Sequence, residues 1–383
     1  MERIKSIDIF RGICILNFMM VHYLVSWLPY NQLWAFDAYW AYFDMMGACA
    51  FLFISGIGIM LYYKNKMKKV EDSVESFSKT TLRHEYLLRG IFVLIISFIY
   101  NIAQSIFFSD ATWLWRWDVL QAIAISILLA WPLLKLSKKS RILIGVIFMV
   151  LNYFIYDLLL SHEGQVSVFG TIYFLLYNEK NMAENPFLPS FFIFLIGTVI
   201  GELFFEFSKM ENDLERKKSI KINVLFKSIV LGIGLIVFGV WFNYPDFIDN
   251  RSFSWWIYVL GFDIVIISLL YSIEKLLFAN YTRRHRFLYY FSYYSLTIFI
   301  FHALLAFAFF QLLSISDTFW VVYITTVILF GVIAKFAHDR WGWKSSIKNI
   351  IGRASSFIAI KIDRKYLHPR FDVAKIASFG LKK

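Results

Sequence analysis

Asp8, Arg11, Asn17 and His22 all fall in SIDIFRGICILNFMMVHYLV, residues 6–25, a run otherwise apolar and long enough to enter a bilayer. An unpaired charge in hydrocarbon costs several kcal/mol, so such residues mark a site by default. An imidazole exchanges protons near neutral pH, and a guanidinium grips planar anions with two parallel hydrogen bonds. The step from Arg11 to His22 turns a helix through about 1100°, three turns plus about 20°. The two therefore share a face, about 16 Å apart along the axis. Asp8 lies one turn before Arg11, close enough to pair with it. Asn17 points off that face, toward another helix. Plainer readings stand beside these: Asp8 and Arg11 snorkel to headgroups, and a lone membrane His packs or hydrogen-bonds.

The elements that position these residues are membrane spans. Of 383 residues, 59% are hydrophobic and 17% charged, too little polar surface to cover a soluble domain of this size. Ten apolar stretches read as spans: Ile7–Leu28, Tyr42–Tyr63, Leu87–Phe107, Val119–Leu134, Ile142–Leu160, Leu188–Phe207, Ser228–Tyr244, Ser254–Ile273, Leu288–Leu312 and Phe319–Ala337. Phe169–Leu176 is too short to cross and is assigned to an outer loop. The fold class is therefore all-α: a polytopic integral membrane protein of about ten helices, most simply in the cell membrane.

Charge sets the orientation. With the N-terminus in the cytoplasm, basic runs at Lys64–Lys69, Lys135–Arg141, Arg216–Lys221 and Arg283–Arg286, and the tail after Lys335, all fall inside. Of 39 Lys and Arg residues, only Arg116, Lys180 and Arg251 fall outside. This is the positive-inside pattern, and it puts both termini in the cytoplasm. The net charge of +12 then reports topology and anionic lipid rather than nucleic acid. Residues 1–338 read as one transmembrane domain and 339–383 as a basic amphipathic cytoplasmic tail. A disordered basic tail fits the same composition. The first helix is not a cleavable signal, since it carries internal charge and no small-residue cleavage site follows. Cys14 and Cys49 suggest no disulfide, and no metal-ligand spacing, phosphate loop or dinucleotide motif is present.

Arg3, Ser6, Ile7, Asp8, Phe10, Arg11 and Gly12 follow a pattern, Arg-x-x-Ser-(Ile/Val)-Asp-x-Phe-Arg-Gly. It resembles the first helix of the heparan-α-glucosaminide N-acetyltransferase catalytic-domain family of transmembrane acyltransferases. The Arg-x10-His spacing of Arg11 and His22 is similar to that of the related acyltransferase-3 family. FLFISGIGI (51–59), WDVLQAIAISILL (117–129), NPFLPSFFIFLIGTVIG (185–201) and SLTIFIFHALL (295–305) resemble later segments. The likeness covers most of residues 3–310 in outline. One departure matters. The N-acetyltransferase pattern has Asn where this chain has His22, and its His follows in the first outer loop. That loop here, PYNQLWAFDAYW, has none.

The resemblance implies acyl transfer from cytoplasmic acetyl-CoA, as co-substrate and without metal, to a sugar-containing acceptor outside. His22 then serves as general base or as acyl-carrying nucleophile. Asp118 or Asp44 holds the imidazole, or each is an interfacial charge facing water; His302, in the ninth span, joins the site or is a buried hydrogen-bonded residue. Arg11 grips a CoA phosphate, oriented by Asp8; Arg89, Lys138 and Lys139 either help it or are simply solvated positive-inside charges. Ser55 and Gly58, with Gly47 and Gly56, give room for a pantetheine arm or simply close helix packing. Trp113, Trp115 and Trp117 form a sugar-stacking lip or an interfacial belt, and His162 and Glu163 contact acceptor. Asp263 needs a partner in His302 or Arg11, and Gln121 bonds across helices. His84, His285, His338 and His368 lie in basic segments with no role assigned. Membrane lipid is the expected environment, and a homodimer is left open. A transporter or flippase using the same polar face, or a non-catalytic relative, is the competing reading.

Overall fold

The computed structural model describes residues 3–72, 78–177, 185–244, 252–277 and 286–366, which places Lys180, Arg251, His285 and His368 outside the described residues. The described residues are largely helical: α1 (Lys5–Trp27), α2 (Trp34–Phe43), α3 (Ala48–Glu71), α4 (Lys79–Phe108), α5 (Val119–Leu133), α6 (Lys138–Leu160), α7 (Val168–Tyr177) and α8 (Phe187–Lys209) are followed by α9 (Asp213–Ser219), α10 (Ile229–Phe242), α11 (Phe253–Ser272), α12 (Arg286–Tyr293), α13 (Ser295–Ala308), α14 (Tyr323–Trp341) and α15 (Ile347–Tyr366). A π-helical stretch, Ile220–Ser228, fuses α9 to α10. Among the described residues, nine helical stretches are long and apolar enough to cross a bilayer. The protein is an integral, multi-pass, all-α membrane protein.

The expected ninth span, Leu288–Leu312, is not one rod. It breaks at Tyr294 into α12 and α13. The Tyr294 hydroxyl is tied to Gly342 O at 3.2 Å and Ser345 Oγ at 2.9 Å, in the turn that leads to α15. The short apolar stretch near Phe169 becomes α7, which lies against α6 through Tyr156, Tyr173 and Tyr177.

The bundle has an inner and an outer layer. Helices α1, α8 and α11 are largely buried, and Phe10, Cys14, Ile15, Met19, Tyr23 and Trp27 carry one side of α1 through the core. Helices α4, α6, α10 and α14 turn Ile, Leu, Val and Phe outward, as lipid-facing helices must. Without a hydrophobic drive between helices in lipid, close backbone approach holds such a bundle. At the α3–α8 crossing, a Cβ on Gly56 would lie 2.1 Å from Phe194 O and one on Gly197 2.2 Å from Phe53 O. Some buried polar groups bond across helices: Arg141 on α6 reaches Thr198 Oγ1 at 2.9 Å and pairs with Glu202 of α8, which also takes Lys64 Nζ at 2.6 Å.

Inside the expected tail, α15 is docked rather than detached. Asp363 accepts from Thr81 Oγ1 at 2.6 Å and Ser78 Oγ at 3.0 Å at the start of α4. Ser346 Oγ donates to Tyr293 O at 3.1 Å.

Candidate active site

Two cavities lie along α1, one toward each end. The first, of about 300 Å³, is lined by Arg11, Ser55, Gly58, Tyr62, Arg89, Ser295, Phe299, Lys348 and Gly352, among others. The second, of about 380 Å³, is lined by His22, Tyr30, Asn101, Gln104, Trp113, Arg116, Asp118, Phe299, His302 and Gln311, among others. Phe299 of α13 lines both. The shared face of Arg11 and His22 is thus the line along which the two cavities are strung.

At the His22 end, two imidazoles meet. His22 on α1 and His302 on α13 lie edge to face, with ring centroids 4.9 Å apart. Phe18, one turn before His22, packs against both rings at 4.2 and 4.7 Å and stacks on Phe299. The Nδ1 of His302 is 2.5 Å from Phe299 O. A carbonyl only accepts, so Nδ1 carries a proton and the lone pair of neutral His302 is on Nε2. His22 has no hydrogen-bond partner among the described residues, which leaves its nitrogens for a ligand in the cavity. Asp118 caps α5, its Oδ1 accepting from Val119 N at 2.5 Å, and lines the same cavity. Arg116 lies over the Trp113 ring at 3.9 Å. Gln311 holds a left-handed backbone, φ 57°, and donates from its N–H to Ser26 O at 2.8 Å.

Not every expected member is here. Trp115 and Trp117 turn away, both indole N–H groups donating to Leu175 O. His162 is stacked on Phe169 and bonded to Gln165, and neither it nor Glu163 lines the cavity. Asp44 is buried beside Gly47 and lines neither cavity. Gln121 bonds across helices, accepting from Asn101 Nδ2 at 3.2 Å. Asn17 turns to Phe43 O and the Tyr39 hydroxyl, as its angle on α1 predicts.

At the Arg11 end the expected Asp8–Arg11 hydrogen bond is replaced. Asp8 takes a two-pronged bond from Arg3, at 2.5 and 2.9 Å, and a third from Ser292 Oγ at 2.8 Å. Arg3 precedes α1 and folds back, so the direct bonds to Asp8 come from below, while Arg11 acts on it only through its charge. Arg11 is left with no hydrogen bond or ion pair among the described residues, its guanidinium in the first cavity. Arg89 lines that cavity too, held at 3.0 Å by buried Glu85 and resting 4.0 Å from the Tyr62 ring centroid. Glu85 also takes Lys66 at 3.0 Å. Lys138 instead pairs with Glu206, and neither it nor Lys139 lines the cavity. Ser55 and Gly58 open into the cavity, while Gly56 is spent on the α8 crossing.

Asp263 does not find His302 or Arg11. It is fully buried in α11, and neither carboxyl oxygen has a hydrogen-bond partner among the described residues. Lys348 and Phe299 line the site without having been singled out in sequence. A lysine in a basic tail and a phenylalanine in an apolar helix carry no local signal.

The model of the family described as heparan-alpha-glucosaminide N-acetyltransferase, catalytic, matches residues 3–239. The match contains Arg11, His22, Arg89 and Asp118 and ends before His302 and Lys348. No curated protein matches the chain. With more than half of its 383 residues under that match, on a bundle of membrane-crossing helices, the chain belongs to the heparan-alpha-glucosaminide N-acetyltransferase catalytic family, a family of membrane acetyltransferases that act on sugars.

Proposed function

We propose that the protein moves an acetyl group from acetyl-CoA, bound in the Arg11 cavity, to a sugar-containing acceptor bound in the His22 cavity. In this reading the Arg11 end faces the cytoplasm, as the basic loops suggest, and the acceptor arrives from the other side. The single observation that carries the proposal is the shared wall. A cavity with cations and a cavity with two imidazoles abut at Phe299. That is the arrangement a bisubstrate transferase requires when its substrates come from opposite faces.

The chemistry follows from the groups present. Arg11 grips a phosphate of CoA in bidentate fashion, and Arg89 lends a second positive group at the cavity wall. The thioester is laid along Ser55 and Gly58 toward Phe299. His22, neutral, takes the proton from the acceptor hydroxyl or amine as that atom attacks the thioester carbonyl. The carbon–sulfur bond breaks, and the imidazolium returns the proton to the CoA thiolate. His302 turns its unprotonated Nε2 to the cavity and stabilises the charged His22. Asp118 adds negative charge at the same wall. Trp113 and Arg116 offer a flat face and a donor for a sugar ring. A continuous polar path, which a transporter would need, is interrupted here by the Phe18–Phe299 stack.

The test is transfer of radiolabelled acetyl from acetyl-CoA to amino-sugar acceptors by purified protein in detergent. Wild type consumes acetyl-CoA, and His22→Ala retains CoA binding but loses turnover. Wild-type protein that neither binds nor turns over acetyl-CoA would turn the reading toward transport.

A further inference from the structure

We infer that the C-terminal helix α15 is part of the donor site, and that Lys348 with Arg11 forms a two-cation clamp for the phosphates of the nucleotide end of CoA. The inference rests on the acetyl-CoA reading above and names residues outside the family match, which ends at 239.

Charge balance is the first argument. Three cations line the Arg11 cavity: Arg11, Arg89 and Lys348. Only Arg89 has a carboxylate partner, Glu85, and that carboxylate is shared with Lys66. Asp8 lies in the electrostatic field of both Arg11 and Lys348, but its carboxylate is bonded to Arg3 and Ser292, so one acid stands against three cations, Arg3, Arg11 and Lys348. Among the described residues the ammonium of Lys348 has one hydrogen-bond partner, the carbonyl of Ser292 at 2.9 Å, which carries no formal charge. Arg11 has none among the described residues. Two such cations facing one partly enclosed cavity repel each other and lose hydration together. An anion between them relieves both costs, and a guanidinium and an ammonium together suit a phosphate.

The second argument is how rigidly Lys348 is set. Its helix begins where Ile347 N donates to Thr297 Oγ1 at 3.1 Å, and Arg353 lies 3.8 Å from the Trp343 ring centroid. Its far end is latched to α4 by Asp363. Ser292, at the break between α12 and α13, ties the two termini together. Its hydroxyl donates to Asp8 on α1, and its carbonyl accepts from Lys348 on α15. Gly352, one turn beyond Lys348, allows the close approach to α4: a Cβ there would lie 3.3 Å from Arg89 Nη2. A tail that merely lay on a membrane would have no need of these bonds.

The experiment compares two donors on the full-length protein. Acetyl-CoA carries the nucleotide phosphates, and S-acetylpantetheine lacks them. With Lys348→Gln, KM for acetyl-CoA rises about tenfold or more, equivalent to about 1.4 kcal/mol, while KM for S-acetylpantetheine and kcat at saturation stay put. Lys348→Arg restores most of the loss. Asp363→Asn, which loosens the latch far from the cavity, raises KM for acetyl-CoA alone and in the same direction. Equal effects of Lys348→Gln on both donors would make Lys348 a structural prop and overturn the clamp, as would no effect on either. If wild type binds no CoA at all, the acetyl-CoA reading itself fails, and the clamp falls with it.

Discussion

His22 and His302 differ in what their nitrogens are free to do. His302 is held by its own helix turn, with Nδ1 committed to Phe299 O, whereas His22 has both nitrogens available in the cavity. In the proposed mechanism that asymmetry gives the proton-transferring role to His22 and the supporting role to His302. Replacing His22 by Ala lowers kcat by about 10²–10⁴-fold with CoA affinity kept, as loss of a general base does. Replacing His302 by Asn, which preserves a donor toward Phe299 O, costs less than His22→Ala; equal losses in single-turnover acetyl transfer would reverse the assignment. Arg11→Ala acts on a different parameter. It removes an unpaired cation from the first cavity, so it raises the Kd for CoA with little effect on S-acetylpantetheine, which a calorimetric titration reads directly.

At the scale of elements, the α3–α8 crossing and the Phe299 wall make separate predictions. Gly56→Ala puts a Cβ 2.1 Å from Phe194 O, so the two helices must part. The expected cost is about 1–3 kcal/mol, seen as a lower unfolding temperature in detergent. Phe299→Ala opens one cavity into the other. Water then reaches the thioester, and acetyl-CoA hydrolysis without acceptor rises while transfer to sugar falls; unchanged hydrolysis would show that Phe299 is not the partition. This is also the scale at which sequence reading reached its limit. The Arg11–His22 face was legible because both lie on one helix and helical geometry fixes their angle. The Arg3–Asp8 bond was not, because Arg3 precedes the helix and its direction is set by the fold-back. The break at Tyr294 was hidden because apolar residues continue through it, and only the tether to Gly342 and Ser345 reveals it. Lys348 was hidden for the opposite reason: among many basic residues nothing marked the one that α15 carries to the cavity.

At the scale of the whole molecule, two cavities toward opposite ends of one helix fit the proposal that the bilayer separates the substrates. In the proposed reading, the excess of Lys and Arg in alternate loops puts the Arg11 end in the cytoplasm. A cysteine introduced at Lys139, in a background lacking Cys14 and Cys49, is therefore labelled by a membrane-impermeant maleimide only from the cytoplasmic side, and one at Thr112 only from the other. The overall class, most of the spans and the family pattern of α1 were readable from composition and motif, since a bilayer imposes the same demands on every chain that crosses it. The pairing of α1 with α13, which brings His302 to His22, is a long-range contact that no local pattern encodes.

The central claim is that an acetyl group passes between substrates held on opposite sides of the membrane. The direct measurement uses proteoliposomes with labelled acetyl-CoA outside and an amino-sugar acceptor sealed inside. The protein is inserted in both orientations, and molecules with the Arg11 end outward do the work. The account predicts labelled acetyl sugar in the lumen with wild type and none with His22→Ala. Labelled product that forms only when donor and acceptor share one compartment would contradict it.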